Sequence, residues 1–227
     1  DLKQEKGITI KLQACTMHWK GYQLNLIDTP GHVDFSYEVS RSLAACEAAI
    51  LLVDASQGIQ AQTLSNARKA IDLGLKLIPV LNKIDLPGVN VDERENEMVD
   101  LLGFNKDEII KVSGKTGENV DKLLDSIIEN VPTPQGDINA PLKALIFDSF
   151  YDEHRGVVVA VRIFEGQVKH VHGKAISLDI LQRQEKFKPT EIGIFSPDLE
   201  ETGILNTGEV GYIATGLKDI SYFTVGD

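Results

Sequence analysis

The sequence has 227 residues, 42% of them hydrophobic and 25% charged, with a net charge of −11. That suits a soluble globular chain of one or two domains with enough length for a real core, and no run approaches the roughly 18 apolar residues of a membrane-spanning helix. Residues 1–136 hold 14 basic and 20 acidic side chains and residues 137–227 hold 9 and 14, so the halves carry −6 and −5. A general nucleic-acid surface, which needs clustered Lys and Arg, is therefore disfavoured, while a local contact on a large RNA assembly stays open.

The alternation in Ile8-Thr9-Ile10-Lys11-Leu12-Gln13-Ala14-Cys15 predicts a strand. A turn at Lys20-Gly21 leads to a second strand, 22–27, which closes at Asp28 and turns through Pro30-Gly31; a helix follows over 34–45. Ala48-Ala49-Ile50-Leu51-Leu52-Val53 is a continuous apolar run ending at Asp54, as a strand buried on both faces should be. Helices over 60–73, 92–102 and 120–129 alternate with strands over 77–81 and 109–112, with Gly74 and Gly103 as helix stops. The alternation implies a mostly parallel sheet with ligands at the carboxyl ends of its strands. Residues 132–141, rich in Pro, read as a linker. Beyond it the pattern changes to strands over 142–150, 156–165, 174–181, 185–195 and 209–214, a β module of roughly 85 residues expected to form a small barrel. Cys15 and Cys46 have no metal-site spacing and read as core or near-core thiols. His170 and His172 share a strand face without a third ligand nearby.

Three groups at strand ends carry chemistry. An aspartate closing a strand before a tight turn (Asp28-Thr29-Pro30-Gly31-His32) can hold a cation or its water, while the glycine lets a backbone N–H approach a phosphate. Asn82-Lys83-Ile84-Asp85 suits guanine: Asp85 can accept from the ring N1–H and the exocyclic amine, a pair that adenine does not offer. Asn82 can tie neighbouring loops, the Lys83 stem can lie against the base, and Ser113-Gly114-Lys115 can add a backbone N–H to the guanine oxygen.

In this order and at these strand ends, the groups resemble the translational GTPases. Gly7-Ile8-Thr9-Ile10 is similar to the end of their first switch, and Asp28-Thr29-Pro30-Gly31-His32-Val33-Asp34-Phe35 to the start of their second. Within the family the LepA (elongation factor 4) branch is closest, on residues 35–47, 78–87, 142–149 and 216–219. The resemblance covers essentially the whole chain and implies an α/β P-loop-type GTPase domain, N-terminally truncated, followed by an all-β translation-factor barrel. The domains expected are a G domain over 1–131, a linker over 132–141 and a barrel over 142–227.

The resemblance further implies GTP or GDP with Mg²⁺ as ligands. Thr9 and Asp28 would serve the metal, Thr29, Pro30 and Gly31 the phosphates, and His32 would orient the attacking water, with Ile8 as part of a hydrophobic gate. Asn82, Lys83, Ile84, Asp85, Ser113, Gly114 and Lys115 would hold the base. The implied partners are the ribosome, through its RNA and proteins, and tRNA-bearing complexes, without DNA. The implied action is GTP hydrolysis that changes tRNA position (back-translocation) by a cytoplasmic monomer, with peripheral association at a bacterial inner membrane as a further implication. A different translational GTPase such as elongation factor G, or a non-catalytic ribosome-binding module, stays as an alternative. Lys6 stands where the family usually has arginine, and Gly114 where alanine is common.

The sequence contains no match to the phosphate loop G-x-x-x-x-G-K-[ST]. Gly114-Lys115-Thr116 imitates its end, but Ile109 occupies the position of the first glycine. The expectation is a fragment that begins inside the first switch, leaving two strand edges of a central sheet without a partner.

Overall fold

The structure, a computed structural model, describes residues 4–5, 8–9, 12–29, 36–170, 176–181, 185–223 and 225–226. Its contacts divide the chain into two compact units, residues 1–30 with 134–227 and residues 31–133.

The chain opens with β1 (Gln4–Glu5), β2 (Ile8–Thr9), β3 (Gln13–Trp19) and β4 (Tyr22–Asp28). Of the strand expected over 8–15, residues 8–9 form β2, paired back on β1, residues 10 and 11 lie outside the described residues, and β3 begins at Gln13. The hairpin turn explains the shift. Lys20 and Gly21 both have positive φ, 47° and 84°, the geometry of a tight two-residue turn whose twist matches that of the strands. That turn sets the register from Trp19↔Tyr22 to Gln13↔Asp28 and so draws residues 16–19 into the strand. Thr16, 7% exposed, is satisfied by its hydroxyl donating to Asn25 Oδ1 at 3.0 Å.

The second unit contains α1 (Ser36–Ala44), β5 (Ala48–Asp54), α2 (Ala61–Asp72), β6 (Lys76–Asn82), α3 (Val91–Leu102), β7 (Ile110–Lys111) and α4 (Val120–Asn130). The helix expected over 34–45 is described from Ser36; residues 34 and 35 lie outside the described residues. Strands β5, β6 and β7 form a parallel sheet in that order. The helix ends follow local chemistry. Asn90 caps α3 by accepting the Glu93 N–H at 3.2 Å, with Asp92 and Glu93 in its positive first turn. Gly103 ends it at φ 75°, a left-handed conformation that a side chain would resist. Val53, Ala55, Leu81, Met98 and Ile109 form the core on one face. Among the described residues β5 is an outer strand of the sheet, and its Ile50 and Leu52 are 38% and 55% exposed.

Residues 132–141 contain no helix or strand. After them come β8 (Lys143–Asp152), β9 (Gly156–Glu165), β10 (Gln167–Lys169), β11 (Leu178–Ile180), β12 (Glu185–Phe187), β13 (Glu191–Ser196), β14 (Asp198–Glu201), β15 (Ile204–Asn206) and β16 (Val210–Ala214). Five of them form an antiparallel sheet, β14-β13-β16-β9-β8, while β10–β15 and β11–β12 are separate pairs. One apolar core unites all three, from Ile146, Val159 and Ile163 to Val168, Ile180 and Leu205. β3 also packs against β13 and β16. The strand expected over 185–195 is interrupted between β12 and β13, where Pro189 has no N–H to donate to a ladder. That expected over 174–181 is described only as β11, and residues 171–175 lie outside the described residues.

Candidate functional site

The site is built where β5 and β6 end side by side. Their parallel register places Asp54 opposite Asn82, and the loops beyond carry polar side chains. The backbone ties them together: Ala55 N–H donates to Asn82 O at 2.9 Å, Val112 N–H to Leu81 O at 2.8 Å, and Ile84 N–H to Val112 O at 3.4 Å. The β5, β6 and β7 ends thus form one ledge, the position at which an open α/β sheet holds a ligand.

Asn82 acts as the expected tie. Its Oδ1 accepts from the Lys83 N–H at 2.8 Å and from the Gly114 N–H at 3.0 Å. One side-chain oxygen thus joins the 82–85 loop to the 113–115 loop. Lys83 turns in the left-handed region at φ 67°, a conformation that costs a residue with a side chain roughly 1–2 kcal/mol. Such cost persists only where the surroundings fix it. Here the Asn82 acceptor holds the Lys83 N–H, and the Leu86 N–H donates to Lys83 O at 3.2 Å.

Asp85 is half-buried. Its Oδ1 accepts the Ser113 hydroxyl at 2.7 Å. Its Oδ2 accepts no hydrogen bond from a described residue, so one carboxylate oxygen is fixed and the other is available to an outside donor. Ser113 is fully buried, and its Oγ also accepts the Thr116 N–H at 3.1 Å. The Ser113 N–H donates to Glu118 O at 3.0 Å, and the Gly117 N–H donates to Ser113 O at 2.9 Å. The 113–118 loop is therefore a closed turn. Gly114 needs no special backbone: a Cβ there would sit 3.7 Å from Asn82 Oδ1, an ordinary contact, so alanine would fit. Lys115 is exposed, and Ile84 packs on the core under the ledge.

Two side chains lie outside the motif reading, Asp54 and Ser56. Lys83 Nζ lies 2.7 Å from Asp54 Oδ2. The other oxygen, Asp54 Oδ1, accepts from Ser56 N–H at 2.8 Å and Ser56 Oγ at 2.6 Å. Partial burial pushes the Asp54 carboxyl up, but the hydrogen bonds from Lys83 and Ser56 outweigh it and hold the group below the ordinary carboxylate value. Asp54 was visible in sequence as the residue that closes an apolar strand; its pairing with Lys83 depends on the β5–β6 register.

The structure brings together Asn82, Lys83, Ile84, Asp85, Ser113, Gly114 and Lys115. Asp28 lies exposed at the carboxyl end of β4, an oxygen donor of the hard type that Mg²⁺ takes, and Thr29 beside it is half-buried. Thr9 ends β2. Pro30, Gly31 and His32 lie outside the described residues.

Comparison with known proteins gives the family of the chain. The elongation factor Tu GTP binding domain family matches residues 1–133. Proteins named elongation factor 4 match the whole chain, at 52% identity in Clostridioides difficile, 53% in Bifidobacterium longum and 49% in Thermotoga maritima. The chain spans 38%, 36% and 37% of their lengths respectively. A crystal structure of a bacterial selenocysteine-specific elongation factor shares the fold with a TM-score of 0.76 over 98% of this chain and 38% of its own, at 23% identity. The chain, a parallel GTP-binding-type sheet with a β-rich module, therefore belongs to the elongation factor Tu GTP-binding domain family.

Proposed function

We propose that the whole protein is a ribosome-dependent GTPase of the elongation factor 4 type, hydrolysing GTP to GDP and phosphate and acting on tRNA position. The observation that carries the nucleotide reading is the pair of cross-loop bonds, Gly114 N–H to Asn82 and Ser113 hydroxyl to Asp85. Together they present one open carboxylate oxygen beside a backbone turn, an arrangement suited to the two donors on the guanine edge.

Within this reading Ser113, Gly114 and Lys115 close over the base and Lys83 lies against it. Thr9, with Asp28 through water, would hold Mg²⁺, which when bound supplies shielding of the phosphate charge. Thr29, Pro30 and the Gly31 N–H serve the phosphates, and His32 orients the attacking water. Phosphoryl transfer is mostly positioning and charge stabilisation, so one water-orienting side chain can act as the catalytic switch. The site works in the cytoplasm on the ribosome, with tRNA-bearing complexes as partners and peripheral membrane association as a secondary state.

The test is base selectivity in the whole protein. Wild type should bind GDP and not ADP. Asp85→Asn should lose GDP affinity by about 10²-fold or more, since a buried-edge donor pair then faces an amide, and should gain affinity for xanthosine diphosphate, whose C2 carbonyl accepts from that amide. Equal binding of GDP and ADP by wild type would overturn the reading. Ribosome-stimulated phosphate release that is lost in His32→Ala tests the catalytic part.

A further inference from the structure

The Lys83–Asp54 pair has a geometry beyond what base recognition by Asn82 and Asp85 requires. Lys83 stands one residue past the end of β6, in a left-handed turn. From there its side chain reaches to the neighbouring strand, where Nζ meets Asp54 Oδ2 at 2.7 Å. Both ends of the lysine are therefore pinned. Its backbone N–H is held by Asn82 Oδ1 and its ammonium by Asp54, so the methylene stem must bridge between them along the ledge. The side chain is nonetheless 51% exposed, so the stem is held in place without being covered.

Asp54 is itself held. Ser56 fills its second oxygen with two hydrogen bonds, and Gln57 N–H and Gly58 N–H both donate to Asp54 O, at 3.0 and 2.8 Å. The next residue is secured from α3, where Glu97 Oε1 accepts the Ile59 N–H at 3.1 Å. Gly58, at φ 72°, leaves room for Glu97 and Arg94, which pair at 2.9 Å: a Cβ at Gly58 would stand 2.6 Å from the Glu97 carboxylate. The carboxylate that receives Lys83 thus sits in a loop fixed at both ends. A long, rotamer-rich lysine gives up much of its freedom when it is anchored. If this happens before a ligand arrives, the ordering cost does not fall on binding.

We infer that Asp54 is a positioning residue of the nucleotide site, holding the Lys83 stem as a preset apolar ledge for one face of a purine ring. The inference rests on the guanine-nucleotide reading above. Asp54 acts through Lys83, not on the base, so its contribution does not depend on the exocyclic amine that Asp85 reads. Loss of Asp54 should weaken guanine and hypoxanthine nucleotides alike, whereas loss of Asp85 changes the ratio between them.

The experiment measures GDP and IDP affinity by calorimetry in the whole protein, for wild type, Asp54→Asn, Lys83→Met and the double variant. Asp54→Asn should weaken both nucleotides by about two- to fivefold, the range of a partly exposed ion pair, with an unchanged GDP-to-IDP ratio. The double variant should be no weaker than Lys83→Met alone, because Asp54 has no other route to the base. Ser56→Ala, an exposed change that loosens the same carboxylate, should give a smaller loss in the same direction that vanishes in the Lys83→Met background; it keeps the test decisive if Asp54→Asn folds poorly. Unchanged GDP affinity in both Asp54→Asn and Ser56→Ala, multiplicative losses in the double variant, or a shifted GDP-to-IDP ratio would each overturn the inference and leave the nucleotide reading standing. A wild type without affinity for GDP would remove both.

Discussion

Ser113 meets two demands with one hydroxyl: it donates to Asp85 at 2.7 Å and accepts the Thr116 N–H at 3.1 Å, with no exposure to water. Ser113→Ala leaves that N–H and a half-buried carboxylate oxygen without their partner, and no solvent can replace a fully buried group. The expected loss is about 1–3 kcal/mol of stability, read from a urea melt, together with weaker GDP binding as Asp85 loses its fixed orientation. A variant as stable as wild type would mean that water reaches the loop. Asn82, Asp85 and Ser113 stand out in the sequence because each lies at or just past the end of an apolar strand. The tie by Asn82 was expected, but the Ser113–Asp85 bond was not, since residues 28 positions apart meet only through the parallel β6–β7 register. Asp54 shows the same limit: an aspartate at a strand end looks like ordinary punctuation until its neighbour strand brings Lys83 to it.

Between elements, α3 and β7 are joined by a buried charge. Glu95 is 1% exposed and meets Lys111 Nζ at 2.7 Å and Lys106 Nζ at 3.5 Å, whereas the two lysines are 43% and 53% exposed. The asymmetry sets the order of costs. Removing the carboxylate releases lysines that water can already reach, while removing Lys111 leaves a charge inside. Lys111→Met should therefore cost more than Glu95→Gln, about 2–3 kcal/mol against about 1, reduced from the fully buried case by the lysine exposure and by Lys106. The reverse order in denaturant melts would show that Glu95 is held chiefly by other contacts. In the β module the sensitive point is the β8–β9 turn. Gly156 sits at φ 71°, and a Cβ there would lie 2.5 Å from Leu217 O. Both the left-handed backbone and the close carbonyl oppose a side chain, so Gly156→Ala should lower stability by about 2 kcal/mol or more, seen as an earlier melt; an unchanged melt would mean that the 216–217 segment yields. The long strands flanking this turn were readable from alternation. β14 was not, because Asp198-Leu199-Glu200-Glu201 has a single apolar residue, and β10 and β15 are only three residues each. An outer strand such as β14 needs only ladder bonds to one neighbour, here β13, and water tolerates its acidic side chains.

Across the whole chain, reading a base and holding phosphates are separate tasks, and this sequence is unevenly equipped for them. The residues that the proposed reading gives to the base lie within residues 31–133, tied from Asp54 through Lys83 and Asn82 to Gly114. No G-x-x-x-x-G-K-[ST] loop occurs in the 227 residues, and the chain carries −11. A phosphate loop supplies several backbone N–H donors and a lysine. Three such charge-assisted bonds at about 1.5–3 kcal/mol each amount to at least ~4 kcal/mol, or ~10³-fold in affinity. In their absence the β-phosphate brings only its charge to an acidic surface, with little gain. The 227-residue chain should therefore bind guanosine about as well as GDP, with both in the weak, roughly millimolar range and both stronger than adenosine. Amide NMR titration resolves this: guanosine and GDP should shift the Asn82, Lys83 and Gly114 signals with similar midpoints. Micromolar GDP binding with no response to guanosine would mean that phosphate recognition resides in residues of this chain that resemble no phosphate loop. Matched weak binding would mean that the ledge recognises the base by itself and that the affinity of a working GTPase comes from the phosphate contacts added to it.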